Sequence, residues 1–331
     1  MAYKGIDPGE IEANSSLILY AWPMIAKMYE ALPAPVQYWL SIFGAATSNW
    51  TQSHAFIYAA ALAFFTVFSI APVMIVVVTI VGLVLGERAA RGELMEQLQQ
   101  VMGPEAAEVV ETAVVNSQIE QSGIWPTVIG IAAIIVGATT VFAQMQQSLN
   151  RIWDVVPRPT RNSIWLFIKA RLLSLTIVLA IGFVLLVSLL LSVLMRAVME
   201  FANQWLPMPD WAMIGLEIVI SLGVVTFLFA AIFKILPDVL LSWRDVMLGA
   251  LITALLFTLG RSLIAIYLAN TATASTYGAA GSLALLLLWV NFSSLILLYG
   301  AAVTRAHVEA RGVDIRPRNT AVRIHREMIQ D

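Results

Sequence analysis

The chain has 331 residues, of which 60% are hydrophobic and only 12% charged, with a formal net charge of −2. An average soluble domain carries about 25% charged residues, so a soluble fold could not cover this apolar content with polar surface, and lipid is the implied solvent. No cysteine is present, which excludes disulfides, thiolate catalysis and Cys-based metal sites.

The N-terminus lacks the pattern of a cleaved signal peptide, because Lys4 is outnumbered by Asp7, Glu10 and Glu12 and the apolar run 17–26 is broken by Pro23. Residues 1–53 read as a cytoplasmic and interfacial segment. Trp22, Tyr38, Trp39 and Trp50 suit the headgroup level, where amphipathic rings settle.

Six stretches then reach the roughly 20 apolar residues a spanning helix needs. They are 55–86, 124–143, 172–195, 211–233, 246–269 and 283–303. The fold class is an all-α polytopic membrane protein with six transmembrane helices. The first stretch is overlong: its 32 residues would measure ~48 Å as a helix, against a hydrocarbon core of ~30 Å. Pro72 near its middle marks a kink. The first, third and sixth stretches carry no charge, whereas the fourth holds Glu217 and the fifth holds Arg261.

Lys and Arg set the orientation. With both termini inside, thirteen of the basic residues after residue 53 fall on the inner side and three on the outer, so the positive-inside bias places both ends in the cytoplasm. The chain divides into the segment 1–53, a six-helix domain 54–305 and a basic, solvated cytoplasmic tail 306–331. The insertion 87–121 falls outside. Its apolar residues recur at helical spacing on either side of Gly103-Pro104, which predicts an external helical hairpin. Its seven glutamates make either a solvated face or a docking surface for an envelope protein. No internal repeat stands out.

Enzyme motifs are missing. His54, His307 and His325 are scattered, and there is no His-Glu-x-x-His, P-loop or nucleophile elbow. No cofactor and no metal site are expected, and the chain is read as a non-enzyme. The basic tail lacks the aromatic interleaving of a nucleic-acid binder. The intramembrane ionisable residues are the stronger signal, since a charge in hydrocarbon costs several kcal/mol and pairs or faces a wet cavity. Glu217 and Arg261 lie at similar depth on consecutive spans, which predicts a pair or a shared polar cavity; separate snorkelling is the alternative. Asn291, midway along the sixth span, either bonds a neighbouring helix or lines a pathway. The external turn 270–282, with Tyr277, Gly278 and Gly281, is a candidate outer gate. Gly249, Ala250, Thr253, Ala254 and Gly260 suit close helix packing.

Several runs are familiar: AAALAFFTVFSIAP at 59–72, NRIWDV at 150–155, ILPDV at 235–239, WRDV at 243–246 and YGAAGSLALLLLW at 277–289. Over about residues 50–305 the chain resembles the YihY/BrkB family of bacterial inner-membrane proteins. The resemblance implies six helices in a bacterial cytoplasmic membrane and a basic residue at Arg261. Phe65, Asn291 and Ala302 depart from the family's usual tyrosine, aromatic and acid. Ala302 removes any mechanism that needs a carboxylate there. The family has carried ribonuclease and virulence labels. The first is disfavoured, because no set of metal ligands or acid–base groups is present to cleave a phosphodiester. The expected function is transporter-like handling of a lipid or amphiphilic anion in the envelope, with Arg261 on the headgroup, Glu217 orienting it and membrane lipids as partners. The alternatives are a non-transporting scaffold and a small-solute or ion channel.

Overall fold

The structure, a computed structural model, describes residues 32–102, 104–116, 124–158, 210–270 and 279–324. Eight helices run through them: α1 (Ala34–Gln52), α2 (Ala55–Leu85), α3 (Glu87–Met102), α4 (Pro104–Asn116), α5 (Ile124–Ile152), α6 (Asp210–Ile235), α7 (Trp243–Asn270) and α8 (Ala279–Ala310). Four short strands complete them: β1 (Val155–Pro157), β2 (Val239–Leu240), β3 (Arg316–Pro317) and β4 (Ala321–Arg323). Four helices contain segments long and apolar enough to cross a membrane: Ala55–Thr79, Ile218–Ile235, Trp243–Ile264 and Leu283–Ala310. The predicted stretch 124–143 forms most of α5, and the stretch 172–195 lies outside the described residues.

Helix α8 is the hub, packing against α1, α2, α4, α5 and α7. Its second half buries Leu298, Ala301, Ala302 and Val303 completely. Small residues allow this crowding. A Cβ on Gly249 of α7 would overlap the Thr304 Oγ1 of α8, and one on Gly300 of α8 would overlap the Thr253 Oγ1 of α7. The two helices therefore clasp reciprocally in antiparallel register, and small-residue contacts of this kind let backbones approach. Pro72 lies inside α2. Its ring faces Gly137 of α5, where a Cβ would come within 2.7 Å of the proline Cγ.

Helix α1 is amphipathic along one stripe. Trp39, Ile42, Phe43, Ala46 and Trp50 face the core, at the i, i+3, i+4, i+7 spacing of one helix face. Tyr38 meets His307 and Thr47 meets Tyr299, so α1 runs antiparallel to the last turns of α8. The described residues of the 87–121 insertion form two helices, α3 ending at Met102 and α4 starting at Pro104. They do not stand clear of the bundle. Leu94, Met95, Ala107, Val110 and Val114 join Met74, Val77, Leu286 and Val290 in a second core, away from the first core around Leu298.

The tail departs from the solvated segment expected for 306–331. Helix α8 ends in a Schellman motif, with Gly312 at φ +68°, Val313 N–H donating to the Val308 carbonyl and Gly312 N–H to the Glu309 carbonyl. Beyond it, β3 pairs antiparallel with β2, and β4 pairs antiparallel with β1. The segment 311–324 is thus a strap that ties the ends of α5, α6 and α8 together. The reason is chemical: β1 and β2 follow helix ends and leave peptide groups that need partners, and the tail supplies them.

A short repeat underlies the strap, which composition hides. Ile152-Trp153-Asp154-Val155 and Leu236-Pro237-Asp238-Val239 play the same part at two helix ends. Ile152, Val155, Leu236 and Val239 are all buried. The Asp154 carbonyl accepts from Ile324 N–H at 2.8 Å, and the Asp238 carbonyl from Arg318 N–H at 2.8 Å. In each case the donor follows the residue paired with the valine: Arg323 opposite Val155, Pro317 opposite Val239.

Candidate functional site

Polar side chains concentrate where the strap closes the bundle. Asp238 is 8% exposed. Its Oδ2 accepts from Asn150 Nδ2 at 2.8 Å and Gln146 Nε2 at 3.3 Å, and its own N–H donates to Asn150 Oδ1 at 2.7 Å. Asn150 sits one turn after Gln146 on α5, so one helix face presents both amides to the α6–β2 turn. The arrangement fixes the Asn150 amide orientation, because one end donates and the other accepts. Replacing Asp238 with Asn is expected to cost about 1 kcal/mol, as two amide donors then compete for one weaker acceptor. A thermal midpoint for Asp238→Asn equal to wild type would remove the network from the stability account.

A second network joins α8 to the α5–β1 turn. Arg305 Nη1 donates to the Ile152 carbonyl at 2.6 Å and to Asp154 Oδ2 at 2.7 Å, while its Nε donates to Glu309 at 2.8 Å. Asp154 has φ +50°, a left-handed backbone that Asp adopts more readily than most residues. Two smaller fixtures complete the end. Asp245 in the first turn of α7 accepts from Ser242 N–H at 2.9 Å, as in a capping box, and pairs with Arg311 at 3.2 Å. Lys234 donates to the Leu241 carbonyl at 2.7 Å and lies 5.4 Å over the Trp243 ring.

The residues expected to form the site fall elsewhere. Arg261 is exposed on α7. Glu217 lies on the adjacent α6, but its side chain is outside the described residues. Asn291 is half-buried on α8, and Gly281 is buried near the start of the same helix. Tyr277 and Gly278 lie outside the described residues. The networks around Asp238 and Arg305 are what sequence reasoning missed. Their signal was present in NRIWDV and ILPDV, where an Asp or Asn interrupts an apolar helix end.

Chemically, this end of the bundle binds itself. Its carboxylates hold amides, a helix cap or a guanidinium, and among the described residues no group of three or more His, Asp or Glu side chains is placed to hold a metal ion.

The family model described as virulence factor BrkB matches residues 46–325. The chain belongs to this family. Its match takes in α2, the strap and both Asp-Val turns, so the networks above are part of the family domain. Among similar proteins, a UPF0761 membrane protein of Mannheimia succiniciproducens is 28% identical over 260 residues, covering 74% of this chain and 82% of that relative. A UPF0761 membrane protein of Alcanivorax borkumensis is 26% identical over 76% of this chain, which spans only 56% of that longer relative. A Bacillus subtilis protein named putative ribonuclease-like protein YfkH is 26% identical over 74% of this chain and 86% of its own length. No solved structure matches the chain. This BrkB-family chain is therefore an integral membrane protein.

Proposed function

We propose that this BrkB-family protein spans the bacterial inner membrane six times, with both termini in the cytoplasm, and handles a lipid or amphiphilic anion in the envelope. The orientation draws on charge: Arg158, Arg244, Arg311, Arg316 and Arg323 gather at the strap end, as the positive-inside bias requires of a cytoplasmic face.

The lipid reading is carried by Arg261. It is exposed on α7 between Leu259 and Leu263, which are 63% and 65% exposed, and lies within the apolar segment Trp243–Ile264. A guanidinium within a membrane-spanning apolar segment is costly. An anionic headgroup would offset that cost, because the planar fork of Arg matches a phosphate. In this reading Glu217 orients Arg261, Asn291 lines the path and the turn with Tyr277, Gly278 and Gly281 gates it. The test is Arg261→Leu in proteoliposomes with a fluorescent phospholipid and an impermeant quencher. At least a tenfold slower exchange between leaflets is expected. Equal exchange by wild type and variant would overturn the role of Arg261.

The scaffold reading is favoured by a different observation, the sealed clasp of α7 on α8. Wild-type protein that exchanges no lipid at all would turn the function toward assembly through the 87–121 hairpin.

A further inference from the structure

A half-open polar pocket of about 260 Å³ lies at the strap end, lined by Asn49, Gln52, Ser53, Asp154, Arg305 and Arg323. Four elements meet there: the end of α1, the α5–β1 turn, α8 and β4. Its volume is that of roughly nine waters at ~30 Å³ each, room for a headgroup rather than a single ion.

Donors and acceptors around it are unevenly used. Arg305 spends Nη1 and Nε on Ile152, Asp154 and Glu309, which leaves Nη2. Arg323 stands 4.0 Å from Glu309, too far for a hydrogen bond, so its guanidinium is only loosely held. Asn49 Oδ1 is buried without a hydrogen-bond partner, as are Trp50 Nε1, Arg151 Nε and Trp153 Nε1. Of these residues only Asn49 lines the pocket, and a buried amide carbonyl without a partner is unusual, since buried polar groups are nearly always bonded. It marks the pocket as suited to polar contents.

Charge narrows those contents. Asp154 and Glu309 stand against Arg305 and Arg323, so the fixed charges cancel, and Arg323 is the more weakly paired of the two cations. A ligand of large net charge of either sign is therefore poorly matched, whereas one anionic group beside a hydrogen-bond donor meets both the loosely held guanidinium and the acidic partners. The orphan carbonyl of Asn49 asks for a donor on the ligand. We propose that this pocket binds a singly charged phosphoester that also carries an amine or hydroxyl donor. Arg323 and Arg305 Nη2 hold the phosphate oxygens, as guanidinium forks do, and Asn49 Oδ1 receives the donor. Glycerophosphoethanolamine and the headgroup of phosphatidylethanolamine share this chemistry. The proposal stands apart from lipid exchange, because a pocket can hold a headgroup without moving it.

The test is calorimetric titration of the full chain in maltoside micelles with glycerophosphoethanolamine and, separately, dihexanoyl phosphatidylethanolamine. Saturable binding is expected, weakened at least tenfold by Arg323→Gln and by Asn49→Leu. Arg316→Gln, on the same strap but with a side chain 76% exposed, should bind as wild type. Thermal midpoints verify that each variant is folded. Tighter binding of the short-chain lipid identifies a membrane source, and equal binding a soluble one; both support the site. No saturable binding of either probe overturns it, and so does binding that a folded Arg323→Gln variant leaves unchanged. A failure here leaves the Arg261 exchange experiment intact, and the reverse also holds.

Discussion

Arg305→Met is expected to cost about 3 kcal/mol of stability and to expose the strap to protease between residues 311 and 320. The side chain is 11% exposed and Asp154 22% exposed, so the pair is partly shielded from water. Removing the guanidinium leaves an Asp carboxylate and the Ile152 carbonyl without their donor. Truncating one partner of a buried pair typically costs ~3–5 kcal/mol; the residual exposure of Asp154 argues for the lower bound. The Glu309 contact adds little, because that side chain is 43% exposed and an exposed i,i+4 pair is worth about 0.3–0.5 kcal/mol. The backbone consequence is larger. Asp154 sits in a left-handed conformation and its carbonyl holds Ile324, so a loosened Asp154 releases β4 as well. Arg305→Lys should recover part of the loss, since a single ammonium cannot serve both Ile152 and Asp154 with the same fork. Thermal aggregation in detergent and limited proteolysis check both effects. Met as stable as Arg would mean that the strap holds without this network.

What could be read from the residues depended on period and length. The overlong first span became α2 over Ala55–Leu85, with Pro72 inside it, because an apolar run of that length has few folding options. The insertion divides into α3, ending at Met102, and α4, starting at Pro104, where the Gly-Pro pair in the sequence predicts a break. The strap was not legible. Its strands are two and three residues long, too short for alternation to register, and their partners lie far away in the chain. A run such as Arg316 to Arg323 reads as a solvated basic tail until its peptide groups are matched with those of Val155 and Val239. The Asp238 network was hidden for a related reason. A buried Asp beside an Asn has no local periodicity, and only the approach of α5 to the α6–β2 turn gives it a role. Sequence reasoning sought function at Arg261 and Glu217, since charge inside an apolar span is conspicuous. The pocket around Arg305 was passed over, because arginines at the ends of spans are common.

The tightest test of the bundle is the clasp between α7 and α8. Gly249→Ala is expected to destabilise by about 1–3 kcal/mol, and Gly249→Leu by more. An added Cβ at 249 would overlap Thr304 Oγ1 and lie 2.9 Å from its Cβ and 3.0 Å from its Cα. The obstruction includes backbone, so no rotamer change relieves it. Gly300→Ala meets the branched Thr253 side chain, overlapping Oγ1 and lying 2.8 Å from Cβ and 2.9 Å from Cγ2. Both threonines are anchored within their own helices, Thr253 donating to the Gly249 carbonyl at 2.6 Å and Thr304 to the Gly300 carbonyl at 2.8 Å. Each hydroxyl is therefore already satisfied, and close packing alone accounts for the opposing glycine. Gly260 supplies the contrast. There a Cβ would meet the tips of Phe292 and Ile296 at 2.6 and 2.9 Å, and flexible ends can swing, so Gly260→Ala should cost much less than Gly249→Ala. Reciprocity also predicts coupling. The two glycines occupy one contact, and separating the helices once relieves both overlaps. The double variant Gly249→Ala/Gly300→Ala should then cost clearly less than the sum of the singles, a departure from additivity expected only for sites that share one backbone shift. Thr304→Gly should rescue Gly249→Ala and leave Gly300→Ala unrescued. Additive singles, or a rescue that ignores this pairing, would show that α7 and α8 are not held in the antiparallel register that sets Gly249 on Thr304 and Gly300 on Thr253.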